Sequence, residues 1–170
     1  DGSLRHAMQS AVDNLVISNP NYQWWESPSG SGVGYTNNVF PQTINYYHSI
    51  NYYGNYNFPG NVFGTPNAGL GQVEEAMTKG LLTASSITVL GTGSMLLTVN
   101  YYDTEGRVIQ SKSQHYKNST ADANNYDEIS NVYSFTDELK ESTRKHSDNG
   151  NEELYAYNKY EYDQMGRKLS

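Results

Sequence analysis

The sequence predicts a mainly β fold of antiparallel hairpins, with one N-terminal helix and a loop-rich insertion. Three observations predict it. The second half of the chain is a series of β-type runs separated by short turns rich in Gly, Asp and Asn. Tyr, which favours half-buried pleated surfaces, occurs 16 times in 170 residues, against 4 Phe and 2 Trp. Only the first stretch of chain carries the apolar spacing of a helix.

That helix is expected over residues 3–18. Leu4, Met8, Ala11, Val12, Leu15 and Val16 fall on one stripe. Ser3 is a suitable N-cap, and Asn19-Pro20 ends the segment.

The next zone, residues 14–73, contains one formally charged residue, Glu26, and all five prolines. Its many Gly and Tyr argue for short strands between turns, expected at 22–26, 43–47 and 52–56. Residues 58–71 read as loop. The first domain is therefore expected over residues 1–78, as the helix plus a low-charge Tyr/Gly/Pro-rich insertion.

The second domain, residues 79–170, is expected to be a β-hairpin array. "SSITVL", "GTGS" and "MLLTVNYYD" read as two strands about a turn at 91–94. In the second of these strands Met95, Leu97, Val99 and Tyr101 share one face. The run 107–116 has only Val108 and Ile109 as aliphatics, so an edge or solvent-facing strand is expected there.

The most informative string is "YYDTEGRVIQ". Asp103 suits the first position of a type I turn, and Gly106 supplies the left-handed residue that closes a hairpin. The pattern Tyr102-Asp103-x-x-Gly106-Arg107 returns sixty residues later as Tyr162-Asp163-x-x-Gly166-Arg167. An intermediate copy has two readings. One starts at Tyr133 and ends at Leu139, which also superposes Ser111 on Ser142 and His115 on His146. The other starts at Tyr126 and gives uneven spacing. The first is preferred. Repeats of this length imply stacked units, none of which buries its own face alone.

These residues resemble the YD repeat of Rhs proteins and teneurins, whose motif is Tyr-Asp-x-x-Gly-Arg followed by an aliphatic residue. The match lies at Tyr102, Asp103, Gly106, Arg107 and Val108, and again at Tyr162, Asp163, Gly166 and Arg167, where Lys168 precedes Leu169. The resemblance covers chiefly residues 79–170. The intermediate copy departs from it by lacking the Gly and the Arg. The resemblance implies hairpin ribbons that spiral into a hollow shell, with the motif Tyr and Arg packed between successive hairpins. It implies a non-catalytic segment of a large bacterial cell-surface or secreted protein, whose partner is the remainder of that protein.

Composition removes several function classes. Cysteine is absent, which excludes disulfides and thiolate metal sites. With 18 acids against 11 bases and a net charge of −7, the chain lacks the basic footprint of a nucleic-acid binder. No apolar run reaches the length of a membrane span. The paired acids Asp103 with Glu105, and Glu74 with Glu75, read as solvated turn and helix-start residues rather than as a glycosidase pair. Neither a catalytic residue, a cofactor nor a metal is expected. His115 and His146 read as exposed strand residues; as a metal pair they would need Asp122 or Glu141 nearby. The ligand-binding alternative rests on Trp24, Trp25, Tyr46 and Tyr52, aromatic rings that suit a glycan or a surface protein.

Overall fold

The computed structural model describes residues 2–64 and 75–169, with the backbone alone at 75 and 76. Of the acid pair, Glu74 and the side chain of Glu75 lie outside the described residues, as does part of the loop expected at 58–71. The chain forms two compact units, residues 1–47 and 48–170.

In the first unit, the expected helix forms as α1 (Gly2–Ser18). No residue of α1 is buried; on its apolar stripe Leu4 and Met8 are exposed, and Val12, Leu15 and Val16 are half-buried. Phe40 and Pro41 line open grooves along it. The strands expected at 22–26 and 43–47 do not form; residues 19–47 are turns and bends with one bridge, Pro28 to Tyr35. Glu26 explains why. Its carboxylate accepts hydrogen bonds from Thr36 Oγ1 at 2.5 Å and from the amides of Asn38 at 3.1 Å and Val39 at 2.7 Å. Burial acts to raise this carboxyl, but those three donors outweigh it and hold it below the usual range. The one charge in a nearly uncharged zone thus gathers its loop, doing with a side chain what a ladder would do with backbone.

The second unit is a seven-stranded antiparallel meander: β1 (Ser49–Tyr53), β2 (Leu82–Thr88), β3 (Met95–Tyr102), β4 (Val108–Lys117), β5 (Thr120–Tyr133), β6 (Leu139–Asp148) and β7 (Asn151–Lys159). The strand expected at 52–56 lies earlier, as β1. Because β1 pairs with β2, the expected division at 78/79 falls inside the sheet unit. The hairpins at 91–94 and 103–106 form as expected, with Val89 N donating to Ser94 O and Asp103 N to Arg107 O. The run 107–116 is not an edge. It is β4, flanked by β3 and β5. Polar side chains make it internal: Gln110 is buried and donates to Ser130, and Gln114 Oε1 accepts from Leu97 N.

Register places Ile50, Tyr52, Ala84, Leu97, Val99 and Tyr101 on one face, and all six are buried. The loop after β1 covers them. Tyr52 stacks on Phe58 at 4.1 Å, Tyr56 packs on Tyr101 at 5.1 Å, and the Tyr101 hydroxyl donates to Gly64 O at 2.9 Å. Burial pushes the Tyr101 phenol up to about 12. The same face turns polar at β4, where Lys112 meets Glu128 at 3.4 Å beneath Phe63 and Tyr126. Beyond it, Leu154, Tyr155 and Tyr157 of β7 are exposed.

Candidate functional site

The repeat motif builds the same turn twice. At the first, Asp103 Oδ1 accepts from the amides of Glu105 at 3.0 Å and Arg107 at 2.8 Å, while Oδ2 takes Arg107 Nε at 2.6 Å. At the second, Asp163 Oδ1 accepts from Met165 and Arg167 amides, both at 2.9 Å, and Oδ2 takes Arg167 Nε at 2.7 Å. Gly106 and Gly166 sit at φ +80° and +73°, where a Cβ is strained.

The intermediate copy is a third turn of the same shape, in the reading that begins at Tyr133. Ser134 N donates to Glu138 O and Asp137 N to Ser134 O, as in the other two. Ser134 Oγ takes the place of the Asp carboxylate, accepting from the amides of Thr136 and Glu138. Asp137, at φ +67°, takes the place of Gly. Tyr126, the other candidate start, lies inside β5.

Each motif tyrosine reaches back to the preceding hairpin. The hydroxyls of Tyr102, Tyr133 and Tyr162 donate to the carbonyls of Leu82, Val108 and Leu139, at 2.7, 3.2 and 2.9 Å. Each accepting residue is the first of its strand. Arg107 adds a forward link: NH1 donates to Asp137 Oδ1 at 2.6 Å and to Ser134 O at 3.2 Å, and the guanidinium lies 5.1 Å from the Tyr133 ring centre. Glu105 also pairs with Arg107, so the acids of this turn are engaged with one cation.

The structure separates the aromatic candidates. Trp24 and Trp25 are 65% and 64% exposed, on a bend rather than a strand, and Tyr46 is 64% exposed. Trp24 meets Tyr22 edge-on at 5.0 Å. Tyr52 belongs to the other unit, is buried, and offers no ring to a ligand.

The histidines are not two exposed strand residues. His115 and His146 stack with centroids 4.7 Å apart and planes within 12°. Asp127 rather than Asp122 or Glu141 is the adjacent acid: its Oδ1 lies 2.8 Å from His146 Nδ1, and its Oδ2 pairs with Arg144 at 3.1 Å. Burial acts to raise the Asp127 carboxyl, but the His146 and Arg144 contacts prevail and hold it below the usual range. Lys117 and Asp148 pair on the neighbouring rung; hydrogen bonding to Lys117 lowers the Asp148 carboxyl. The 31-residue superposition of His115 on His146 carried this pairing; the identity of the acid depended on register, which no local signal gives.

No known protein family, curated protein or solved structure matches the chain.

Proposed function

We propose that the chain is a non-catalytic structural segment of a large bacterial cell-surface or secreted protein of the Rhs/YD-repeat kind, contributing hairpins to a β shell or scaffold. The observation that carries this reading is the recurring tyrosine link, by which each of the three motif turns is tied to the hairpin before it. A serial tie of this kind serves extension: units hold one another, as in other repeat architectures. The uncovered outer strand β7, with Leu154, Tyr155 and Tyr157 exposed, suits a surface that the rest of a parent protein would meet. The net charge of −7 speaks against nucleic acid as partner. Among the described residues no helix is long and apolar enough to cross a membrane.

The test is association in solution. An open sheet edge is a template for pairing, so the purified chain should self-associate with rising concentration in light scattering. The double variant Tyr155→Lys/Tyr157→Lys, which charges the β7 edge, should stay monomeric with unchanged circular dichroism. A wild-type chain that remains monomeric at about 100 times the concentration of a weak micromolar contact would count against the scaffold reading.

The adjacent exposed rings of Trp24 and Trp25 favour a second reading, a carbohydrate- or protein-binding module. A glycan array probed with the wild type and with a Trp24→Ala/Trp25→Ala variant decides it. Binding lost in the folded variant supports this reading, and no binding by the wild type removes its glycan form.

A further inference from the structure

We propose that His115, Asp127 and His146 form a binding site for one late first-row divalent cation of the zinc class, which ties β4 to β6 across β5. The register assembles the three residues on one face. Asp127 stands directly opposite His146 on β6 and opposite Ser113 on β4. His115, two residues beyond Ser113, points to that same face.

A bulge brings His115 within reach. The β4–β5 register passes from Gln114↔Tyr126 to Tyr116↔Ala121, so four residues of β5, 122–125, face His115 alone. Without a direct partner on β5, its ring leans across the gap onto His146.

The cluster also gathers unmet polar atoms. Among the described residues, the buried side-chain nitrogens and oxygens without a hydrogen-bond partner are His115 Nδ1, His115 Nε2 and Asp148 Oδ1. His115 acts electrostatically on the Asp148 carboxyl, so all three lie in one neighbourhood. Buried polar atoms left unpaired in a native fold call for an ion or a water.

One ligand atom from each of His115, Asp127 and His146 lies within 4.8 Å of the others. Adjacent ligands on a tetrahedral zinc, with bonds of about 2.0–2.1 Å, stand about 3.3 Å apart. Asp127 Oδ1 and His146 Nδ1, at 2.8 Å, are already close enough. Stacked rings direct their in-plane lone pairs in parallel, so the His115 ring must turn to share the cation. It breaks no hydrogen bond in doing so. On binding, the His146 Nδ1 proton moves to Nε2 or to solvent, and water completes the shell. Two imidazoles and one carboxylate select zinc, nickel or copper over magnesium or calcium.

The experiment is calorimetric titration of the whole chain with Zn²⁺, with Mg²⁺ as comparison and the visible spectrum of the Co²⁺ form as a coordination signature. Expected are one site per chain, no binding of Mg²⁺, and affinity about tenfold or more weaker in His115→Ala and in His146→Ala. A His6→Ala/His48→Ala variant should bind as the wild type does. Because the cluster variants could lose the fold, the imidazole NMR signals of the wild type give a second readout. Those of His115 and His146 should shift together with Zn²⁺ while those of His6 and His48 stay. No Zn²⁺ binding by the folded wild type, unchanged affinity in folded His115→Ala, loss in the His6→Ala/His48→Ala variant, or unmoved His115 and His146 signals would overturn the proposal.

Discussion

The Tyr102 hydroxyl reaches back one hairpin to the Leu82 carbonyl at 2.7 Å, and burial raises its phenol, so it stays a donor through the neutral range. Removing that hydroxyl leaves the Leu82 carbonyl with the longer Asn100 Nδ2 contact at 3.4 Å in place of its shortest side-chain hydrogen bond. Tyr102→Phe should therefore cost about 1 kcal/mol in urea unfolding, whereas Tyr155→Phe, at an exposed ring, should be near neutral. Equal stability of the two variants would remove the tie as a source of cohesion. Asp103, Gly106 and Arg107 were legible in the sequence because each has a local reason for its place: a turn acceptor, a left-handed residue, a charge for the acceptor. Ser134 and Asp137 were not. They meet the same backbone needs with different side chains, Ser134 Oγ for a carboxylate and Asp137 at φ +67° for a glycine. A pattern of letters misses an equivalence that lies in hydrogen-bond geometry. The acid beside His146 was hidden for a related reason, since Asp127 is its neighbour through strand register alone.

Among elements, the last hairpin turn carries a pH dependence whose sign is fixed. Hydrogen bonding from the Arg167 amide and then its side chain holds the Asp163 carboxyl below its usual value. A group whose pKa is depressed on folding stabilises the fold above its unfolded value, about 3.9, and that contribution is lost as pH falls through the folded value. The Arg167 amide resonance should therefore stay constant down to the ordinary carboxylate range and move only below it. In Asp163→Asn the same resonance should be insensitive to pH, and a wild-type midpoint above about 3.9 would contradict the turn chemistry. Strand hairpins were readable from alternation and turn residues, which is why β3 falls where the sequence puts it and β2 overlaps its expected run, beginning three residues earlier at Leu82. The strands expected at 22–26 and 43–47 failed because β propensity from Tyr and Trp says nothing of pairing; at the first of them the Glu26 side chain holds residues 36–39 instead. The α1 stripe was readable as a pattern, yet pattern does not supply the surface that covers it.

On the scale of the whole molecule, the core occupies only part of the sheet. Apolar side chains fill one face from β1 to β3 under the loop of Tyr56, Phe58 and Phe63, and the face then passes to Lys112, Glu128 and polar neighbours. Composition announced a mainly β chain rich in half-buried tyrosine. It did not announce that β1 would join the array, because the partner of β1 lies beyond a long insertion and pairing at that distance leaves no local mark. The strand order β1 to β7 follows the order of the chain without a crossover. A ribosome or a secretion channel delivers a polypeptide from one end, and most parts of many folds must then wait for a distant piece to arrive. Here each arriving strand finds the edge it needs already in place. The sheet can be laid down in the sequence in which it is made, and gain or lose a hairpin at its growing end without reordering the strands laid down before it.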